Sequence, residues 1–138
     1  MRGLLLLPLA TAAAAGCASV PPPRLTTWAP DEIIVPASVK GRIRQDGECL
    51  IIERERGRRQ FLVWPEGSRI EGRSIVWRGD SGRTHRTAIG AHAHLEGEPL
   101  LAEHGHYLPE IHAEAARCGA LAFLVRDVRQ APPPASRR

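Results

Sequence analysis

The amino-acid sequence predicts a mainly β fold, a small closed or partly open barrel of five to six strands with one short helix before the last strand. Several short β-rich runs are separated by turn residues, and one helical segment lies near residue 110. Only roughly ninety residues lie between two proline-rich ends, which is the small end of what one hydrophobic core can hold together.

The first predicted strands lie between residues 39 and 64. Residues 39–43 alternate apolar and polar side chains, and residues 49–53 and 60–64 are compact runs of β-forming residues. A charged segment containing Gly57 separates the last two runs, so together they predict a hairpin.

A second hairpin is predicted from residues 74–78 and 86–89, which flank the turn sequence Gly79-Asp80-Ser81-Gly82. We expect residues 90–95 to continue its second arm. The four turn residues also match the nucleophile loop of chymotrypsin-like serine proteases. In that class the histidine base precedes the serine, whereas the first histidine here, His85, follows Ser81, so the turn is the preferred interpretation.

One short helix is predicted over residues 110–117. Pro109 stands near its start, acidic side chains occupy its first turns and Gly119 follows its end. The apolar residues 120–125 then predict a buried last strand. Five or six short strands with a helix in this position favour a barrel of which the OB-fold is the best-known form, and closure removes the exposed sheet edges.

The first sixteen residues predict a signal peptide. Arg2 supplies a positive leader, and the apolar residues 4–15 are too few to span a bilayer, which needs ~20. The segment Ala14-Ala15-Gly16-Cys17 resembles the lipobox of bacterial lipoproteins, which implies that Cys17 carries a lipid and becomes the first residue. Because Ala14 stands where that motif usually has Leu, an ordinary cleaved secretory signal is the alternative.

The chain is predicted to divide into a signal peptide (1–16), a proline-rich tether (17–36), the OB-like barrel (37–129) and a disordered tail (130–138). An extended tether would hold the barrel up to about 60 Å from the bilayer. Trp28 and the apolar residues 33–35 indicate that the last part of this tether lies against the barrel. The lipid on Cys17 would anchor the protein in the cell envelope. An Asp after this cysteine would indicate retention in the inner membrane, and because Ala18 stands there we expect the outer membrane, with the protein facing the periplasm.

The three cysteines of the chain are Cys17, Cys49 and Cys118. An odd cysteine in an exported chain needs an explanation, and lipidation of Cys17 supplies it. Cys49 and Cys118 are then expected to form a disulfide in an oxidising compartment, the alternative being two unpaired buried thiols.

The charge balance is mildly basic, with 19 Lys and Arg against 15 Asp and Glu and a formal net charge of +4. Basic and acidic residues alternate over residues 53–56, which indicates a solvated hairpin surface. Export removes the protein from most nucleic acid, so no nucleic-acid partner is expected. Anionic lipid head groups remain as acidic partners.

The series Gly47-Glu48-Cys49-Leu50, residues 61–67, Ile89-Gly90 and Ala116-Arg117-Cys118-Gly119 resembles a group of uncharacterised small exported bacterial proteins with an OB-like domain. The resemblance covers about residues 38 to 126. It implies the barrel and the pairing of Cys49 with Cys118, and it implies no activity or substrate. This chain departs from the group where His92, His94 and Glu96 replace a glycine-rich turn.

All six histidines lie between His85 and His112, and four of them form the pairs His92-Ala93-His94 and His104-Gly105-His106. Residues two apart on a strand share a face, so each pair could direct two imidazoles at one Zn or Cu ion. The alternative is four exposed histidines without a common centre, because no cysteine is spare as a ligand.

Trp28, Trp64 and Trp77 could form a stacking face for a sugar or base, but the preferred interpretation is that Trp64 and Trp77 fill the barrel core. No nucleophile, base and orienting group can be assembled into a catalytic site. The sequence therefore predicts a non-enzymatic, membrane-anchored envelope lipoprotein, a structural or binding module for an unidentified envelope protein or ligand. The alternative is a periplasmic metal-binding protein that uses the paired histidines.

Overall fold

A computed structural model describes residues 20–29, 36–104 and 108–129 of the chain. The strands are β1 (Thr27–Trp28), β2 (Ala37–Asp46), β3 (Cys49–Glu53), β4 (Arg59–Pro65), β5 (Arg69–Glu71), β6 (Ser74–Arg78), β7 (Thr84–Ala88), β8 (His92–Leu100) and β9 (Leu121–Val128). The helix α1 spans Pro109–Arg117, and short 3-10 turns lie at Glu55–Gly57 and Ala102–His104.

Five of the strands form a closed barrel in the order β4-β3-β2-β8-β9. Neighbouring strands are antiparallel except at the closure, where β4 and β9 run parallel and pair Gln60 with Leu121 through to Val63 with Leu124. The helix α1 precedes the last strand. The prediction of an OB-like barrel with one short helix in this position is confirmed.

Alternation along the strands fills the barrel interior. Side chains that face inward include Val39 and Ile43 of β2, and the largest are the fully buried Trp64 and Trp77. The rings of these two tryptophans meet edge to face, with centroids 5.5 Å apart. Trp77 comes from β6, so the small sheet β5-β6-β7 contributes to the barrel core, and the prediction that Trp64 and Trp77 fill the barrel is confirmed.

A second apolar layer covers the outside of β4 and β9. Ile111 and Ala115 of α1 pack there against outward side chains such as Phe61 and Leu124. Trp28 belongs to the same layer, and its indole N–H donates to the carbonyl oxygen of Val125 at 3.2 Å. A surface that would otherwise be exposed is thereby buried between the barrel, the helix and the N-terminal segment.

Cys49 and Cys118 are joined by a disulfide, with Cα atoms 5.8 Å apart. The bond links the start of β3 to the residue that follows α1, so it fastens the helix to the barrel. The predicted pairing is confirmed, and unpaired buried thiols are excluded.

The chain does not continue the second hairpin arm over residues 90–95, and this expectation is wrong. A turn closed by the Ala91 N–H on the Ala88 carbonyl releases the chain from β7, and Gly90 adopts a φ of +101° there. The following nine residues form β8, which enters the barrel between β2 and β9.

The predicted tether is in contact with the barrel along its described part. The Gln45 side-chain amide donates to the Pro21 carbonyl at 2.8 Å, and the Arg24 N–H donates to the Glu48 carbonyl at 2.8 Å. Strand β1 pairs in parallel with β4, and Trp28 is buried. The signal peptide (1–16), Cys17, residues 33–35 and the tail (130–138) lie outside the described residues. Within the described ranges, no helix has the length and apolar character needed to cross a bilayer.

Candidate functional site

A groove of about 740 Å³ lies on the outer face of the barrel, between β2, the first residues of β8 and the segment that follows β3. Five basic residues line it: Lys40, Arg42, Arg54, Arg56 and Arg58. The acidic side chains in its lining are Glu53 and Glu55, and both His92 and His94 border it. We call this the basic groove.

The period of the strands explains why these cations share one face. In β2, Val39 and Ile43 point into the core, so Lys40 and Arg42 point outward. Antiparallel pairing sets His94 opposite Lys40 and His92 opposite Arg42. Cross-strand neighbours on one face are only ~5 Å apart, so the four side chains form one continuous patch.

Arg42, which lines the basic groove, is held in place by two contacts. One guanidinium nitrogen donates to the Gly90 carbonyl at 3.2 Å, and the other lies 3.1 Å from Nε2 of His92. A guanidinium group only donates, so Nε2 of His92 is placed to accept from it. Arg42 therefore presents a fixed positive charge.

The turn after β3 brings the remaining arginines to the groove. The Arg54 N–H donates to the Arg58 carbonyl at 2.7 Å, and the left-handed residues Arg56 and Gly57, with φ of 61° and 68°, close the turn. Glu53 is partly neutralised by Arg44, whose guanidinium lies 3.2 Å from its carboxylate. The net charge of the groove lining is consequently positive.

The structure describes the side chains of two of the four predicted metal ligands, His92 and His94. His92 and His94 share the outward face of β8, as expected, but their cross-strand neighbours are the cations Arg42 and Lys40 rather than carboxylates. The side chain of His104 and the whole of His106 lie outside the described residues. Among the side chains that are described, no group of three His, Cys, Asp or Glu is arranged to hold a metal ion. The metal site stays a prediction.

Ser81, His85 and Asp127 meet at the tip of the β6–β7 hairpin. The Asp127 carboxylate accepts hydrogen bonds from the Ser81 N–H at 2.8 Å and from Nε2 of His85 at 2.9 Å. The carboxylate thus stands between the other two residues, whereas a catalytic triad needs the imidazole between serine and acid. The segment 79–82 is the hairpin turn that was predicted, closed by the Gly82 N–H on the Gly79 carbonyl.

The pKa of Asp127 lies below its ordinary value. Burial is the largest single influence and by itself would raise this pKa, but four hydrogen bonds together outweigh it: those from the Ser81 and Val128 N–H groups, the Ser81 hydroxyl and His85. Asp127 is therefore a charged clamp between β9 and the hairpin.

Sequence reasoning missed a buried charged cluster. Arg126 and Glu98 are only 6% and 3% exposed, and their charged groups are 3.7 Å apart. The Arg126 guanidinium also lies 3.5 Å from the Asp80 carboxylate and 4.8 Å from the centre of the Trp28 ring. This cluster joins the barrel, the hairpin and the N-terminal segment, so its role is structural.

Sequence reasoning also missed the basic groove, because the charges at residues 53–56 were interpreted as a solvated surface. The alternation of cations at positions 40, 42 and 44 of β2 was the signal that could have indicated it.

Comparisons with family models, curated proteins and solved structures found no match for this chain. Function is therefore inferred from the groove itself.

Proposed function

We propose that this chain is a non-enzymatic lipoprotein of the cell envelope, anchored through Cys17, and that its barrel is a binding module for an anionic envelope component. The basic groove is the binding surface. The observation that carries this proposal is the groove lining, in which five fixed cations face two carboxylates, one of them already bonded to Arg44.

Several cations must act on one ligand for such a surface to bind. An exposed ion pair contributes only about 0.2–1 kcal/mol, so a single charge would not hold a partner. The groove brings together cations from two chain segments, β2 and the turn after β3, and Arg42 is fixed by its contacts with Gly90 and His92. A ligand with two or more closely spaced negative charges fits this arrangement best.

The absence of catalysis in this proposal is supported by the bonding of the Ser81 cluster. Asp127 accepts from the backbone N–H of Ser81 and from Nε2 of His85, so the carboxylate lies between the serine and the imidazole. A serine nucleophile needs the imidazole next to its hydroxyl, as the base that takes its proton.

Inorganic pyrophosphate is a suitable probe because it carries two adjacent phosphate groups. We expect calorimetry to detect its binding to the mature chain carrying Cys17→Ser, and we expect Lys40→Glu/Arg54→Glu to weaken binding at least tenfold. The matched control is Arg78→Glu/Arg83→Glu, which changes two exposed arginines outside the groove lining. Equal affinity in both double variants would contradict the proposal.

The same titration separates this proposal from the metal-binding alternative. Anion binding by the cations needs no metal, so EDTA should leave the pyrophosphate affinity unchanged. If EDTA abolishes binding and Zn²⁺ restores it, with His92→Ala preventing the restoration, the paired histidines hold a metal and the cation-based proposal is wrong.

The anchor is tested separately from the groove. Radiolabelled palmitate should be incorporated into the native protein and should not be incorporated into Cys17→Ser. A native protein that is exported and cleaved but unlabelled carries an ordinary secretory signal instead.

A further inference from the structure

The N-terminal segment reaches the barrel beside the basic groove. Val20, Arg42, Arg44 and Arg73 line a second depression of about 480 Å³, which shares Arg42 with the groove. We call these four residues the Val20 face. Val20 is 77% exposed and lies beside these three arginines.

The chain is fixed to the barrel immediately after Val20. The Gln45 side chain binds the Pro21 carbonyl, and the Arg24 N–H bonds to Glu48, both at 2.8 Å. Both contacts lie at the β2–β3 turn. Residues 20–24 therefore lie against this end of the barrel and add no spacing between the barrel and Cys17.

The distance to the proposed anchor is consequently short. Three peptide steps separate Cys17 from Val20, and an extended chain spans at most about 3.6 Å per residue, or roughly 11 Å in all. This reach is comparable to the Debye length of about 8–10 Å at physiological salt. Charges on the Val20 face would therefore lie within electrostatic range of the head groups around a lipid on Cys17.

We propose that the Val20 face rests on the anionic phospholipid head groups of the membrane that holds the Cys17 anchor. Arg44 and Arg73 attract the head-group phosphates, Arg42 extends the contact into the basic groove, and Val20 enters the interfacial region. The barrel is then held on the bilayer in one orientation rather than suspended above it. This inference rests on the proposed function, because it needs the anchor and the anion-binding groove.

Vesicle sedimentation tests the contact without the anchor. The mature chain carrying Cys17→Ser should sediment with vesicles of phosphatidylglycerol and phosphatidylethanolamine and stay in solution with phosphatidylcholine alone. Raising the NaCl concentration should release it, because the contact is electrostatic.

Arg73 of the Val20 face lies outside the groove lining, which allows the membrane contact to be tested alone. Arg73→Glu should weaken vesicle binding at least about threefold and leave the pyrophosphate affinity unchanged. Arg83→Glu is the matched control, and thermal unfolding verifies that each variant is folded.

The outcomes distinguish this inference from the proposed function. Pyrophosphate binding without vesicle binding, or vesicle binding unaffected by Arg73→Glu, overturns the membrane orientation and leaves the groove as an anion site. If the mature chain carrying only Cys17→Ser binds neither pyrophosphate nor vesicles, the proposed function is overturned as well.

Discussion

Nε2 of His85 lies 2.9 Å from the Asp127 carboxylate and joins the β6–β7 hairpin to the last strand of the barrel. The partners are 42 residues apart in the chain, and both are largely shielded from solvent. Asp127 also accepts from the Ser81 and Val128 N–H groups. One carboxylate thus holds the hairpin tip against β9.

Asp127→Asn should destabilise the protein by about 1–3 kcal/mol, because an amide nitrogen replaces one of the acceptor oxygens in front of these donors. Urea unfolding at neutral pH measures the change. Glu66→Gln, which removes the same charge from an exposed side chain, should alter stability by less than about 0.5 kcal/mol. Equal effects of the two substitutions would show that Asp127 is not a clamp.

Stability should also depend on the ionisation of Asp127. Its pKa is lower in the folded protein than its ordinary value of 3.8, so its contribution is present above that value and is lost as the pH falls through the folded pKa. Unfolding free energies measured between pH 6 and pH 2 should therefore converge for the native protein and Asp127→Asn at the acidic end.

Glu71 provides the comparison for this pH dependence. Hydrogen bonds from Arg69 and Arg86 lower its pKa, but its side chain is 40% exposed, so solvent screens these ion pairs. Glu71→Gln should therefore change the pH profile less than Asp127→Asn does. A larger effect from Glu71→Gln would contradict the assignment of the acid-sensitive contribution to Asp127.

The disulfide should contribute strongly to stability. It closes a loop between residues 69 apart, for which the chain-entropy relation gives about 4 kcal/mol as an upper figure. Cys49→Ser/Cys118→Ser should lower the unfolding free energy by up to that amount, and adding dithiothreitol to the native protein should have a similar effect. Dithiothreitol should leave the stability of the double variant unchanged, which serves as the control.

Gly97 should not tolerate a side chain. A Cβ at this position would collide with the backbone carbonyl of Leu124 on β9, beside the irregular register between Glu96 and Gly97. We expect Gly97→Ala to cost at least about 2 kcal/mol or to prevent folding, whereas Glu96→Ala, at the exposed neighbouring position, should fold with nearly native stability. A soluble Gly97→Ala protein with native melting temperature would contradict the strand packing described.

The same residue explains which part of the fold escaped prediction. Runs of β-branched and aromatic residues predict the strands β3 and β4, and the glycines at 79 and 82 predict the hairpin turn. Strand β8 contains Gly97 and Pro99, which weaken any local strand signal. Its place between β2 and β9 is fixed by tertiary pairing and by close backbone approach, which no short window of sequence reveals.

The candidate site was less predictable than the barrel. Residues two apart on a strand share one face, so the sequence alone predicted that the side chains of His92 and His94 lie on the same side of their strand. That Arg42 and Lys40 lie opposite these histidines depends on the register between β2 and β8, whose paired residues are fifty or more positions apart in the chain. The sequence therefore drew attention to the imidazoles, while the charges that dominate the groove became visible only in the folded barrel.

The position of a bound anion tests the central claim most directly. In a titration of the isotopically labelled mature chain, carrying Cys17→Ser, with inorganic pyrophosphate, backbone amide shifts report where the ligand lies. We predict the largest changes at residues 40–42, 54–58 and 92–94, with Arg42→Ala removing most of them. Shifts centred instead on the depression beside Asp80 and Arg126, or the absence of any saturable shift, would contradict the assignment of the basic groove as the binding surface.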